Sequence, residues 1–271
     1  MLALANHWLA RLHGKRCRSS HGPPSTRTLL RLERLEDRCV PANLYVTSSA
    51  DDANQQGTLR YELAHANAGD SILIEVSSIV LTQGELVVNT KDLSISPLLT
   101  PQNPNARVAI SGGNHSRVFE FAFTAGAPQI YNLDITGGNG LSANASGTDA
   151  YRDGQGGAIL NEANLTVYNC TFTKNSAQEG GGIYNYYASA RVWYCKLWGN
   201  SASQDGGALY NRGVPFPGWG WDFPPSGTME VVGSKFYSNG AGGDGGAICN
   251  WVRAPNEQNR NFRGCVFRCV R

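Results

Sequence analysis

Gly156-Gly157-Ala158-Ile159-Leu160-Asn161 is the stretch on which the fold turns, because it comes back three times. It returns as Gly180-Gly181-Gly182-Ile183-Tyr184-Asn185, as Gly206-Gly207-Ala208-Leu209-Tyr210-Asn211 and as Gly245-Gly246-Ala247-Ile248-Cys249-Asn250, with starts 24, 26 and 39 residues apart. A second phrase keeps step with it: Phe172-x-x-Asn175, Leu197-x-x-Asn200, Phe236-x-x-Asn239, and then Phe267 near the last residue. Two phrases in phase mark a repeat architecture, which has to be settled before single residues are read. Between them lie short alternating segments such as Asn164 to Phe172. There Leu165 and Val167 share one face and Cys170 and Phe172 share another, out of phase by one residue. A single strand of period two cannot do that, but two short strands meeting at a bend can. The same pattern holds for Ala190, Val192, Cys195 and Leu197, and for Met229, Val231, Ser234 and Phe236.

Three short strands and their bends fill one lap of a parallel β-helix, in an all-β chain. Laps stack at roughly 4.8 Å, so equivalent residues form columns. Phe172, Leu197, Phe236 and Phe267 make one interior column, and Ile159, Ile183, Leu209 and Ile248 make another. Asn161, Asn185, Asn211 and Asn250 stack at a corner, each amide able to bond the next. The paired glycines suit a turn of positive φ or a close approach between laps.

Composition agrees with a turn-dense β protein. Glycine is 32 of 271 residues, against a usual share of about 7%. The net charge of +2 is uneven. Residues 1–42 are strongly basic and the body is slightly acidic, which argues against a nucleic-acid partner. Of the seven cysteines, Cys170, Cys195 and Cys265 share a column, with Ser234 in the equivalent place. They read as small inward thiols, with a Cys170–Cys195 disulfide as the alternative at stacked-strand distance. The five histidines fall outside these laps, which speaks against a zinc-type site.

Residues 1–42 read as a basic, mostly disordered arm, with a short amphipathic helix placing Leu29, Leu32 and Leu35 together before Pro41. The arm has no standard secretory signal and no stretch able to span a membrane. Its Leu32-Glu-Arg-Leu-Glu-Asp-Arg38 segment resembles the Leu-Glu-(Asp)-Arg segment near the N-terminus of many large exported bacterial surface proteins. The body covers 43–271, with a capping region and first laps at 43–112 and the repeats at 113–271. Leu44–Thr47 reads as a strand, Thr58 caps a helix reaching about Asn67, and short strands follow at 71–76, 79–81, 85–89, 93–96, 108–111, 118–123 and 129–136. Tyr45-Val-Thr-Ser-Ser-Ala-Asp-Asp52, Gly57-Thr-Leu-Arg-Tyr-Glu-Leu-Ala-His-Ala-Asn-Ala-Gly-Asp70 and Leu81-Thr-Gln-Gly-Glu-Leu86 resemble the CSLREA-type N-terminal region of bacterial right-handed β-helix surface proteins. The Cys of that motif is missing here, and its Glu is displaced to Glu62. The Gly-Gly and Phe-x-x-Asn phrases resemble the repeats of polymorphic outer-membrane proteins. The resemblance implies a right-handed, single-stranded parallel β-helix, a pectate-lyase-like solenoid, with a short capping helix over its first strand edge. It also implies an extracellular or cell-surface location in a bacterium, in a structural or adhesive role. At the other end Cys265-Val-Phe267 starts a strand that stops before its Asn. That predicts an incomplete last lap, through truncation or pairing with a partner, and otherwise a monomer without a terminal β-barrel segment.

Two features stand out for function. The first is a polar row before each Gly-Gly: Gln155, Glu179, Asp205 and Asp244, with Asp153 nearby. Stacking brings neighbouring carboxylates to about 5 Å, where they are solvated turn residues, ligands of a Ca2+ ion, or the acids of a polysaccharide lyase or hydrolase. No Lys or Arg column matches them as a lyase base, and no catalytic residue is assigned. The second is aromatic. Insertions after the third and fourth Gly-Gly phrases carry Phe216, Trp219 and Trp221 in one and Trp251 and Arg253 in the other. Both follow the same corner, so they should emerge together beside Tyr184 and Tyr210, while Tyr168 and Trp193 pair outward. Exposed, these rings suit cell-surface glycans or surface proteins; folded back, they bury one another.

Overall fold

The computed structural model describes residues 40–140, 152–213 and 227–252, with the backbone of 262–264. The expected helix at 29–40, Phe216, Trp219, Trp221, Arg253, Cys265 and Phe267 lie outside these residues. The chain winds in laps. After β1 (Asn43–Val46) and α1 (Leu59–His65), the first lap is β2 (Ser71–Ile74), β3 (Ser78–Val80) and β4 (Leu86–Val88). The second is β5 (Ser94–Pro97), β6 (Val108–Ser111) and β7 (Phe119–Phe121), and the third is β8 (Gln129–Tyr131), β9 (Leu133–Thr136) and β10 (Ile159–Asn161). The fourth comprises β11 (Asn164–Tyr168), β12 (Thr171–Thr173), β13 (Ser176–Ala177) and β14 (Ile183–Tyr186). The fifth comprises β15 (Ser189–Trp193), β16 (Lys196–Trp198), β17 (Ser201–Ala202) and β18 (Leu209–Gly213). The sixth comprises β19 (Thr228–Val232), β20 (Lys235–Tyr237), β21 (Gly240–Ala241) and β22 (Ile248–Val252).

Each strand pairs in parallel with its equivalent one lap on. Sheet A runs β1-β2-β5-β8-β11-β15-β19 and sheet B runs β3-β6-β9-β12-β16-β20. Sheet C runs β4-β7-β10-β14-β18-β22. The fold is a parallel β-helix. Three things differ from the sequence reading. The stretch 129–136 is two strands, because Asn132 turns the chain at φ 55°. The last three laps carry a fourth, two-residue strand, giving the small sheet β13-β17-β21. And β23 (Phe262–Gly264), where the sequence reading has no strand, pairs antiparallel with β22.

The bend between sheets A and B is itself a column. Asn132, Asn169, Tyr194 and Gly233 all take positive φ, between 51° and 62°. Asparagine tolerates that region and glycine enters it freely, whereas the tyrosine carries strain. This bend produces the one-residue phase shift between Leu165/Val167 and Cys170/Phe172.

Register stacks Phe172 on Leu197 and Leu197 on Phe236, and Ile159, Ile183, Leu209 and Ile248 likewise. Nearly all of this interior is dry, with Phe172, Leu197, Ile159 and Ile183 fully buried. The corner amides form a ladder: Asn161 Nδ2 donates to Asn185 Oδ1, Asn185 to Asn211, and Asn211 to Asn250, each at 2.7 Å. A second ladder runs through Asn175, Asn200 and Asn239, at 2.9 and 3.0 Å. The two glycines of each pair do different work. At Gly156 φ is +63°, and at Gly157 an added Cβ would lie 2.2 Å from the Gly181 carbonyl oxygen one lap on. The first permits the turn; the second lets two backbones touch.

α1 is shorter than the reading to about Asn67. Thr58 caps it, accepting from the Tyr61 amide, and the Glu62 carboxylate accepts from the Gly57 amide at 2.9 Å. Leu59 and Leu63 bury the helix against the first laps. Among the described residues no helix is long and apolar enough to cross a membrane.

Candidate functional site

Tyr168 and Trp193 lie on sheet A, whereas sheet C positions Tyr184, Tyr210 and Trp251. Its strands place alternate residues inside and outside, so the residue after each Ile or Leu of the Gly-Gly phrase faces outward. That outward column is Val87, Glu120, Leu160, Tyr184, Tyr210 and Cys249. Most of it is nevertheless buried. Leu160, Tyr184, Tyr210 and Cys249 form a second apolar cluster outside the barrel of laps, with Tyr186 and Trp251 packed on it. The rings of Tyr184 and Tyr210 stack at 5.0 Å and 8°, an arrangement that strands about 4.8 Å apart favour. They offer no exposed platform, because the flanking side chains cover them.

The next outward column is Glu162, Tyr186, Arg212 and Trp251, each one residue past the Asn of its phrase. Arg212 is the residue that sequence reasoning passed over. Its guanidinium carbon lies 5.6 Å from the ring centres of Tyr186 and Tyr187 and 5.3 Å from that of Trp251. Nη1 donates to the Tyr184 hydroxyl at 3.3 Å, while the buried Nε has no partner among the described residues. The signal was its place directly after Asn211, in line with Tyr186 and Trp251.

The acidic row sits on the same side. Gln155 and Glu179 bridge in parallel. Burial pushes the Glu179 carboxyl above its ordinary range and the Asp205 charge adds to this; Arg212 and hydrogen bonds with Tyr184 and Tyr210 pull the other way. Asp205 is engaged differently, accepting from the Asp244 amide at 2.6 Å. Glu179 and Asp205 thus do not face one another as equals: one is drawn to the tyrosines and the other closes a turn. Among the described residues no group of three or more His, Cys, Asp or Glu side chains is placed to hold a metal ion.

Residues 169–186 match the Chlamydia polymorphic membrane protein (Chlamydia_PMP) repeat. The matched stretch runs from the Asn169 bend through β12 and β13 to the end of β14, so it takes in one Phe-x-x-Asn phrase and one Gly-Gly phrase. With the parallel sheets, it fits a β-helix repeat protein. No curated protein and no solved structure matches the chain.

Toward the N-terminal laps the same outer face turns from aromatic to charged. Arg117 is fully buried and pairs with Glu85. It also donates to the carbonyl oxygens of Arg152 at 2.9 Å and Gln155 at 2.8 Å. Arg152 pairs with Glu120 at 2.7 Å and Glu162 at 3.0 Å. This network ties the first three laps together. Burial and the neighbouring Glu85 push the Glu120 carboxyl up. Cys170 and Cys195, stacked one lap apart, are free thiols rather than a disulfide. Burial pushes the Cys195 thiol up to about 11, which suits a packing role over a reactive one.

Proposed function

We propose that the protein is a non-catalytic, surface-exposed bacterial β-helix that adheres to glycans or surface proteins through the corner beyond sheet C. The observation that carries this reading is the register of Gly213 opposite Val252. The two adjacent strands end there, and the insertions that carry Phe216, Trp219 and Trp221 and that carry Arg253 follow them in the sequence. Trp251 and Arg212 form the base of that corner. The repeat match to polymorphic membrane proteins, the likeness of the cap to CSLREA-type regions and the export-like segment in the arm support a cell-surface location. Replacing Trp219 and Trp221 together by alanine is expected to weaken retention on a glycan array at least about tenfold while the circular dichroism spectrum is preserved. Unchanged retention would remove the insertion from the contact.

A second reading, a polysaccharide lyase or glycoside hydrolase, draws on the raised Glu179 carboxyl beside Arg212 and two tyrosine hydroxyls. It requires cleavage of uronic-acid or neutral polymers that Glu179→Gln and Asp205→Asn each abolish. Under the non-catalytic reading the wild-type chain releases no reducing ends at all.

A further inference from the structure

The outer face of sheet A carries a separate aromatic stripe. Its strands turn one column outward through Ser96, Tyr131, Tyr168, Trp193 and Val232, half-buried at Ser96, Tyr131 and Trp193. Tyr131 and Tyr168 lie 6.1 Å apart at 55°, and Tyr168 meets Tyr194 edge-on at 5.5 Å. These rings stay in solvent: Tyr168 is 40% and Tyr194 55% exposed. The stripe ends beyond Tyr131. Ser96 follows Ile95 as Tyr131 follows Ile130, with Leu73 on its other side, and the vacancy beside Tyr131 is a groove of about 330 Å³ lined by Ser96, Leu99, Tyr131, Asn132 and Tyr168. That volume lies at the small end of ligand pockets, which run from about 300 to 1,000 Å³.

From this vacancy we infer that the groove binds a ring of a neutral oligosaccharide, with the sugar's C–H face against Tyr131 and Tyr168. The inference rests on the glycan-adhesion reading above and adds a second contact on a different face. Three observations select the ligand class. No charged side chain lines the groove, which disfavours an acidic sugar. Its two ring walls are tilted and open, suiting a flat guest that enters from solvent. Three of the lining residues carry polar groups without partners among the described residues: Ser96 Oγ, the Tyr168 hydroxyl and Asn132 Nδ2, whereas the Asn132 amide oxygen accepts from Asn169. An aromatic peptide side chain would leave all three unsatisfied, whereas a polyol ring satisfies them. Leu99, 49% exposed, closes the far end.

The test titrates the full chain with chitotetraose and cellotetraose, using trigalacturonic acid and a Trp-containing tripeptide as comparisons. Binding of a neutral tetrasaccharide is expected, weakened at least about tenfold by Tyr168→Ala. Ser96→Tyr, which fills the vacancy from the protein's own side, should weaken it likewise. The second variant keeps the idea testable if the first fails to fold. Neutral binding that both variants leave unchanged would overturn the groove and keep the adhesion reading. Tighter binding of the tripeptide, or preference for trigalacturonic acid lost with Arg212→Gln, would overturn the ligand class. A chain that binds none of these, nor any glycan on the array, would overturn the groove and glycan adhesion together.

Discussion

A Cβ placed on Gly207 would lie 2.2 Å from the Gly246 carbonyl oxygen, whereas one on Gly240 meets nothing within 4 Å. Each is a glycine in the same lap or the next, yet they do different things. Gly207 sets how closely the fifth and sixth laps approach, whereas Gly240 meets it through its carbonyl oxygen and has open space where its own side chain would be. Gly207→Ala is expected to cost about 1–3 kcal/mol through overpacking, while Gly240→Ala stays within about 0.5 kcal/mol. Urea unfolding of the two variants checks this, and equal costs would mean that the laps are not in contact there. The same scale explains the tyrosines. An outward position on a strand ordinarily meets water, but Tyr184 and Tyr210 are covered by their neighbours in the next column. Sequence alternation reports which side of a sheet a residue faces; it does not report what lies on that side.

At the level of elements, the cap is held by one carboxylate. Asp51 accepts from Arg60 at 2.7 Å and from the amides of Thr82 and Gln83 at 2.6 and 2.7 Å, joining the start of α1 to the loop before β4. Burial works against its charge, but the bonds from Arg60, Gln83 and Thr82 outweigh it and hold the carboxyl below its ordinary value. A group depressed in the folded state stabilises above its unfolded pKa of about 3.9 and loses that contribution as pH falls through the lower folded value. Glu120 is raised instead, so its protonation favours the folded state and acts in the opposite sense over its own range. Asp51→Asn separates the two. It is expected to lower the melting temperature at pH 7 and to leave a shallower loss between pH 4 and pH 2 than the wild type shows. A parallel acid profile in both would remove Asp51 from the cap's stability. The element boundaries show why some features are hard to read. The break at Asn132 is a single residue inside an apolar run, and β13, β17 and β21 are two residues long, too short to leave a periodic signal.

For the whole molecule, the repeat phrases carried the reading because they specify columns rather than single contacts. Phe172 over Leu197 and Ile159 over Ile183 follow from spacing alone, since any fold that winds every 24 to 26 residues must superpose them. The candidate site was less legible. Arg212 lies in no repeated phrase, and its worth depends on Tyr186 and Trp251 arriving beside it from other laps. The buried Arg117 is hidden for the same reason: its hydrogen-bond partners lie 23 to 39 residues away, scattered over three laps. A search of the residue following each phrase would have found the first; nothing local to the chain announces the second.

The amide rows have a direction. In both, every carboxamide passes its hydrogen toward the higher-numbered lap, from Asn161 to Asn250 and from Asn175 to Asn239. Aligned dipoles of this kind reinforce one another, so the axis of the molecule has a positive-leaning end and a negative-leaning one even where no ionised group lies. Cutting a row in its middle divides it, whereas trimming its last member only shortens it. Asn185→Ala should therefore cost about 2–3 kcal/mol and Asn250→Ala distinctly less in the same chemical melt. The polarity of each row thus closes on Asn250 and Asn239, whose amide oxygens are already occupied by the lap below.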